Sequence, residues 1–111
     1  MIANTPPAPY YAVIFTSLKK EAHKGYQEMA LQMIDLVSQQ DGFLGFESVS
    51  GEVGITISYW KDLESILKWK SNSRHKMAQD KGKTEWYAAY KVRISRVEHD
   101  YEFDLSIHEK H

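Results

Sequence analysis

The chain's three tryptophans, Trp60, Trp69 and Trp86, all lie in its second half, interleaved with Tyr59, Asn72, His75 and Tyr87. Indole and phenol side chains present a flat apolar body with one polar handle, which suits a slot for an aromatic ligand. The same residues also suit the packed core of a small domain, and residue type alone leaves both readings open. If Ser73 caps a short helix, His75 falls in its first turn. There the positive end of the helix dipole disfavours imidazolium and leaves a neutral ring able to take a proton at about pH 7. His75 is therefore a candidate general base or substrate anchor, with Trp69 and Asn72 beside it as the other candidate catalytic residues. Tyr59, Trp86 and Tyr87 are candidates for the walls and hydrogen-bond partners of a substrate. A half-buried histidine with no task, or a haem ligand, are the alternatives for His75.

Other chemistries are excluded by what the chain lacks. It has no cysteine, which removes disulfides, thiol catalysis, iron–sulfur ligation and cysteinyl zinc together. His108 and His111, three apart, belong to the polar tail, no other histidines pair at helical spacing, and carboxylates do not cluster, so no metal site is expected. Gly51 and Gly54 belong to a hairpin turn and open no phosphate-binding helix, and no nucleophile elbow occurs. With 14 basic against 15 acidic residues the net charge is −1, too balanced for a polyanion binder. The stretch from Asp41 to Glu47 resembles an aromatic RNA-binding strand, but it follows the first helix and its acids repel phosphate. Neither nucleic acid nor membrane is expected as a partner. The apolar run near residues 11–16 is too short to span a bilayer, the start lacks a signal peptide's pattern, and a cytoplasmic address follows by default.

These candidates need elements to hold them. Tyr10 to Leu18 has strand composition with apolar residues on both faces. From Lys19 the period changes: Ala22, Tyr26, Met29, Ala30, Met33, Ile34 and Val37 recur at threes and fours, predicting an amphipathic helix of about five turns that stops at Asp41-Gly42. Phe43 to Val49 and Ile55 to Trp60 read as strands of a hairpin joined by a glycine-rich turn. Asp62 caps a short helix carrying Leu63, Ile66 and Leu67 inward, which Ser71-Asn72-Ser73 interrupts before a second short helix from Arg74 to about Asp80. Thr84 to Ala89 reads as a turn of helix. Tyr90 to Phe103 reads as a long last strand, its phase changing from even to odd apolar positions near Ser95-Arg96, where a bulge is expected.

That order is the ferredoxin-like βαββαβ plan, an α+β fold with helices on one face of a four-stranded antiparallel sheet. Strands apolar on both sides need cover on the free face as well, and a second copy of the chain is the simplest cover. Residues 1–9 read as an extended proline-bearing arm, 10–103 as the folded domain and 104–111 as a polar tail. The aromatics then sort by strand. Tyr10, Tyr11, Phe15, Phe43, Phe46, Tyr101 and Phe103 go to a dimer interface, and Tyr59, Trp60, Trp69, Trp86, Tyr87 and Tyr90 to one possible site.

The string from Gly42 to Ser48, the Ser58-Tyr59-Trp60 strand end, and the run Trp69, His75, Gln79, Gly82, Trp86-Tyr87, Tyr90 together resemble the antibiotic biosynthesis monooxygenase family of the dimeric α+β barrel superfamily, over about Tyr11 to Phe103. The resemblance implies a homodimer whose two sheets form a barrel, each subunit keeping a pocket between sheet and helices. Some relatives oxidise phenols and anthrones with O2 and no cofactor, the deprotonated substrate itself reacting with oxygen. That implies a small aromatic molecule as substrate, no cofactor, His75 as proton acceptor or anchor, and Trp69 and Trp86 as slot walls. Other relatives degrade haem with an Asn on the first strand, a Trp at the place of Trp69 and a His on the following helix. Here Phe15-Thr16 stands where that Asn is expected, and the ligand position falls nearer Gln79 than His75. A non-catalytic dimeric ligand-binding or stress-response module is the other function the same fold allows.

Overall fold

A computed structural model describes residues 2–21, 25–79 and 86–108, with the side chains of 74–79 and 107–108 outside that description. The elements run β1 (Tyr10–Lys19), α1 (Tyr26–Ser38), β2 (Phe43–Val49), β3 (Gly54–Trp60), α2 (Leu63–Gln79), β4 (Tyr87–Val97) and a short α3 (Leu105–His108). The four strands make one sheet in the order β2-β3-β1-β4, and every neighbouring pair is antiparallel. This is the α+β, ferredoxin-like plan. No described helix is long and apolar enough to cross a membrane.

Register divides the sheet into two unlike faces. Because Val13 stands opposite Ser58 and Ile94, and Phe15 opposite Thr56 and Val92, the odd residues of β1 share a face with the even residues of β3 and β4. Both helices cover that face. The other face carries Tyr10, Ala12 and Ile14 of β1 beside Ile55, Ile57 and Tyr59 of β3. Under the helices, Trp60, Ile66 and Val37 form the buried core, with Tyr11, Val13, Phe43 and Trp69 packed around them.

Four sequence expectations change. First, β1 continues through Lys19 and α1 begins only at Tyr26, after Gly25 in the left-handed region at φ 85°. The ladder with β4 outweighs the helical period at that end, and even Lys20 N donates to Trp86 O at 2.8 Å; Ala22 lies outside the described residues. Second, α2 is one continuous helix through Ser71-Asn72-Ser73. The Ser73 hydroxyl donates back to the Lys70 carbonyl at 3.1 Å, a bond that lets a serine stay in mid-helix. The cap is where expected: Asp62 Oδ1 accepts from Ser65 N at 2.8 Å, and the Ser65 hydroxyl, then that amide, lower the Asp62 pKa. Third, Trp86 is helical but β4 already starts at Tyr87, so the expected helical turn does not continue to Ala89; 80–85 lie outside the described residues.

Fourth, β4 ends at Val97, so Tyr101 and Phe103 lie beyond it, and the expected bulge at Ser95-Arg96 is absent. Pairing with β1 runs unbroken from Tyr10 opposite Val97 to Leu18 opposite Ala89. The phase change had a simpler origin: Val97 pairs with Tyr10 on the outer face, while Tyr90, Val92 and Ile94 belong to the inner one. The bulge lies at the other end, where Lys19 faces Tyr87 and Ala88 is the extra residue. A second irregularity, at Leu44, lets Phe43 and Phe46 both stand on the helix side.

The N-terminal arm is tied onto the outer face. Glu47 accepts from Ala3 N at 2.9 Å and from the Tyr59 hydroxyl at 2.7 Å. Tyr10 donates its hydroxyl to Asp100, joining the segment after β4 to the same face. The Tyr59 hydrogen bond, and after it the Ala3 amide, hold the Glu47 pKa below its ordinary 4.5. A depressed carboxylate contributes stability that is fully present above its unfolded value and disappears as pH falls through its folded value. Acid should therefore release the arm, and the Ala3 amide resonance should titrate below pH 4.5 in the wild type but not in Glu47→Gln. An Ala3 resonance that moves identically in both would break the link.

Candidate functional site

Between the helices and the inner sheet face lies a cavity of about 770 Å3. Its floor is Val13, Phe15 and Ser17 of β1 with Thr56 and Ser58 of β3, all pointing the same way by strand alternation. Its roof comes from α1 through Met29, Met33 and Val37 and from α2 through Ile66, Trp69, Lys70 and Ser73, spacings that place each set on one helical face. Along β4 the wall is Tyr90, Val92 and Ile94, each 41–46% exposed, so the cavity is open on that side.

The aromatic end of the cavity depends on the bulge. By skipping Ala88, the ladder turns Tyr87 to the same face as Tyr90, and both rings meet Phe15: Tyr90 stacks on it at 5.4 Å and Tyr87 meets it edge-on at 5.6 Å. Tyr26, from the first turn of α1, meets Tyr87 at 5.8 Å and Trp86 at 6.4 Å, both edge-on. Burial, the neighbouring Tyr26 and a hydrogen bond donated to it push the Tyr87 hydroxyl well above the ordinary phenol value. Tyr87 is thus a donor that stays protonated. The lining is otherwise apolar with a few hydroxyls, and its charged members among the described residues are Lys19 and Lys70. Lys19 Nζ stands 4.5 Å from the centre of the Tyr26 ring, a cation–π contact.

The residues singled out from the sequence separate. Trp69, Trp86 and Tyr87 come together on the cavity wall. Tyr59 lies on the opposite face of the sheet, edge-on to Tyr10 at 5.9 Å, and burial, followed by its bond to Glu47, pushes its pKa up to about 12. Asn72 is exposed and donates to Gln40 Oε1 at 3.3 Å, off the cavity-lining face of α2. His75 is on α2, but its side chain lies outside the described residues. Because α2 is unbroken, His75 belongs to its later turns, and the argument from a helix N-terminus no longer applies to it. Trp60 belongs to the core.

Sorting aromatics by strand, when the face decides, also put Phe15 and Phe46 in a dimer interface; both line the cavity. Tyr26, Met29 and Met33 were visible as the apolar stripe of α1, and nothing in their spacing distinguishes a cavity roof from a core. Among the described residues no group of three His, Asp or Glu is arranged to hold a metal ion.

The family model described as antibiotic biosynthesis monooxygenase matches residues 9–81. The uncharacterized protein YqjZ of Bacillus subtilis is 44% identical over 99 residues, covering 87% of both chains. A jasmonate monooxygenase of Pyricularia oryzae is 29% identical over 92 residues, which is 78% of this chain and 43% of that one. Among solved structures, protein SO0527 from Shewanella oneidensis superposes with a TM-score of 0.66 at 11% identity, over 86% of this chain and 95% of that one. At that identity the likeness speaks to the fold.

Proposed function

Since the chain belongs to the antibiotic biosynthesis monooxygenase family, we propose that it oxidises a small or polycyclic aromatic molecule, a phenol, quinol or anthrone, with O2 and without a bound cofactor. The observation that carries the reading is the cavity: about 770 Å3 of mostly apolar space on the family's fold, walled by Trp69, Trp86 and Tyr87. Cavities of roughly 300–1,000 Å3 take small organic ligands. The partial relative named as a jasmonate monooxygenase supports oxygen chemistry over the part it shares with this chain.

In this reading the substrate supplies the electrons. In an anthrone the methylene between two arene rings, acidified by the carbonyl conjugated through them, loses a proton, the carbanion passes an electron to O2, and the radical pair collapses to a hydroperoxide. Loss of water then leaves a carbonyl. One oxygen atom ends in the product and the other in water, and every electron that reduces O2 comes from the methylene carbon. His75, the one imidazole of α2, accepts the first proton. Tyr87, its hydroxyl turning from Tyr26 to the ligand, donates to the substrate oxygen, where negative charge develops, and Trp69 and Trp86 hold the ring. The reading includes a homodimer, supported by the outer sheet face, where Ile14, Ile55 and Ile57 are only part-covered and Leu18 and Val49 are exposed.

Oxygen uptake with an anthrone and quinol panel is expected for the wild type and should fall by roughly a hundredfold or more in His75→Ala. Equal rates remove His75 from the mechanism. No uptake with any of the panel, from protein that sediments as a dimer, removes the oxygenase; sedimentation as a monomer removes the dimer. A binding module without turnover is the second reading, favoured by the lack of any carboxylate or imidazole among the described lining residues. Ligands that raise the melting temperature without oxygen uptake would establish it.

A further inference from the structure

Charge in the cavity is one-sided in a way the composition is not. The whole chain carries −1, yet the charged residues among the described lining are two lysines, Lys19 at the end of β1 and Lys70 on the cavity-facing side of α2. Among the described residues neither ammonium meets a carboxylate; the ion pairs found there, Lys68 with Glu64 and Arg96 with Glu98, are elsewhere. Lys19 is half-buried, and its ammonium rests on the face of Tyr26. The ring holds the charge in place without using up its hydrogen-bond donors. An ammonium that meets no carboxylate among the described residues keeps its donors for an anion on a ligand.

We propose that this cavity takes an amphipathic ligand: an apolar, ring-bearing body lying along Phe15, Trp69 and Tyr90, and a carboxylate that meets Lys19, with Lys70 adding positive charge to the same lining. The proposal rests on the reading of the cavity as the ligand site and adds to it the polarity of the substrate. A carboxylate fits better than a phenol, because it is ionised throughout the neutral range and so always carries the charge that complements the ammonium. Lys19 sets the orientation, since its position is fixed by the strand end and by Tyr26. Lys70 is exposed and raises the positive potential along the lining.

The test uses two probes of one shape, 1-naphthoate and the neutral 1-naphthalenemethanol, titrated against tryptophan fluorescence. The wild type is expected to bind naphthoate roughly tenfold more tightly than the alcohol, the scale of one charge-assisted hydrogen bond. Lys19→Gln and Lys70→Gln together should remove the preference and leave alcohol binding unchanged. Lys19→Arg, which keeps the charge, should retain most of it, and added salt should shrink it in the wild type. Equal affinities, a preference that survives the double variant, or no binding of either probe would overturn the proposal. Preferential naphthoate binding by a protein that takes up no oxygen removes the oxygenase and leaves this inference standing. Oxygen uptake from neutral anthrones with no naphthoate preference does the reverse.

Discussion

Trp60→Ala is expected to lower the stability of the protein by about 3–5 kcal/mol, the usual cost of emptying a fully buried aromatic site. Trp60 has no exposed surface. Its ring meets Phe43 edge-on at 5.5 Å and stacks near Trp69 at 6.4 Å, so it joins the β2–β3 hairpin to α2. Its indole N–H donates to Ser58 Oγ at 2.9 Å, so truncation also strips a partner from a hydroxyl on the cavity floor. For a domain of this size each kcal/mol is worth roughly 4–8 °C, and the thermal midpoint should fall by some 15 °C or more. Trp69→Ala is the matched control: half-buried and on the cavity wall, it should cost less stability and more ligand affinity. A Trp60→Ala variant that melts within a few degrees of the wild type would show that the core is organised around something else.

Gly42→Ala should cost about 2–4 kcal/mol by two routes that can be told apart. Gly42 has φ +83°, a region L side chains rarely adopt. A Cβ placed there would also stand 2.7 Å from Ser65 Cβ, against the Ser65 hydroxyl, and 3.2 Å from Lys61 Cγ. Ser65 cannot retreat easily, because it is buried and its N–H makes the cap bond to Asp62. The turn is held on its other side by Lys61 N donating to the Gly42 carbonyl at 2.9 Å. Placing Gly42→Ala in a Ser65→Gly background separates the terms. Recovery of most of the loss assigns it to the collision, and no recovery assigns it to the backbone. Urea denaturation of the four proteins reads the cycle, and a Gly42→Ala protein as stable as the wild type refutes both.

What could be read from residue order was whatever a single period encodes. The alternation in β1, the three-and-four spacing of Met29, Met33 and Val37, and the Asp62 cap all follow from local rules, and the βαββαβ order follows from them. What could not be read depends on partners distant in sequence. The start of α1 was lost because Lys19 and Lys20 are claimed by the ladder to β4 and Trp86, which no local pattern at Lys19 announces. The continuity of α2 turns on a serine hydroxyl bonding back to Lys70, when the same residue is an equally good cap. The proposed site residues divide for the same reason. Trp69, Trp86 and Tyr87 line one cavity, whereas Tyr59 lies on the other face, because it neighbours Trp60 in sequence and adjacent strand residues point to opposite faces. Lys19 and Lys70, ordinary surface-type residues by composition, acquire meaning only once two elements bring them to one apolar space.

The extra residue at Ala88 makes the aromatic wall tolerant of a change in length. Tyr90 and the rest of β4 are paired on one side of it, and Tyr87 and Trp86 lie on the other. Deleting the single codon for Ala88 would leave Ala89 opposite Leu18 and Tyr87 opposite Lys19, so both flanks keep their register and Tyr87 keeps its place on the inner face. The cavity therefore sits beside a point where one step of gene-length drift can pass without exchanging the faces of the strand.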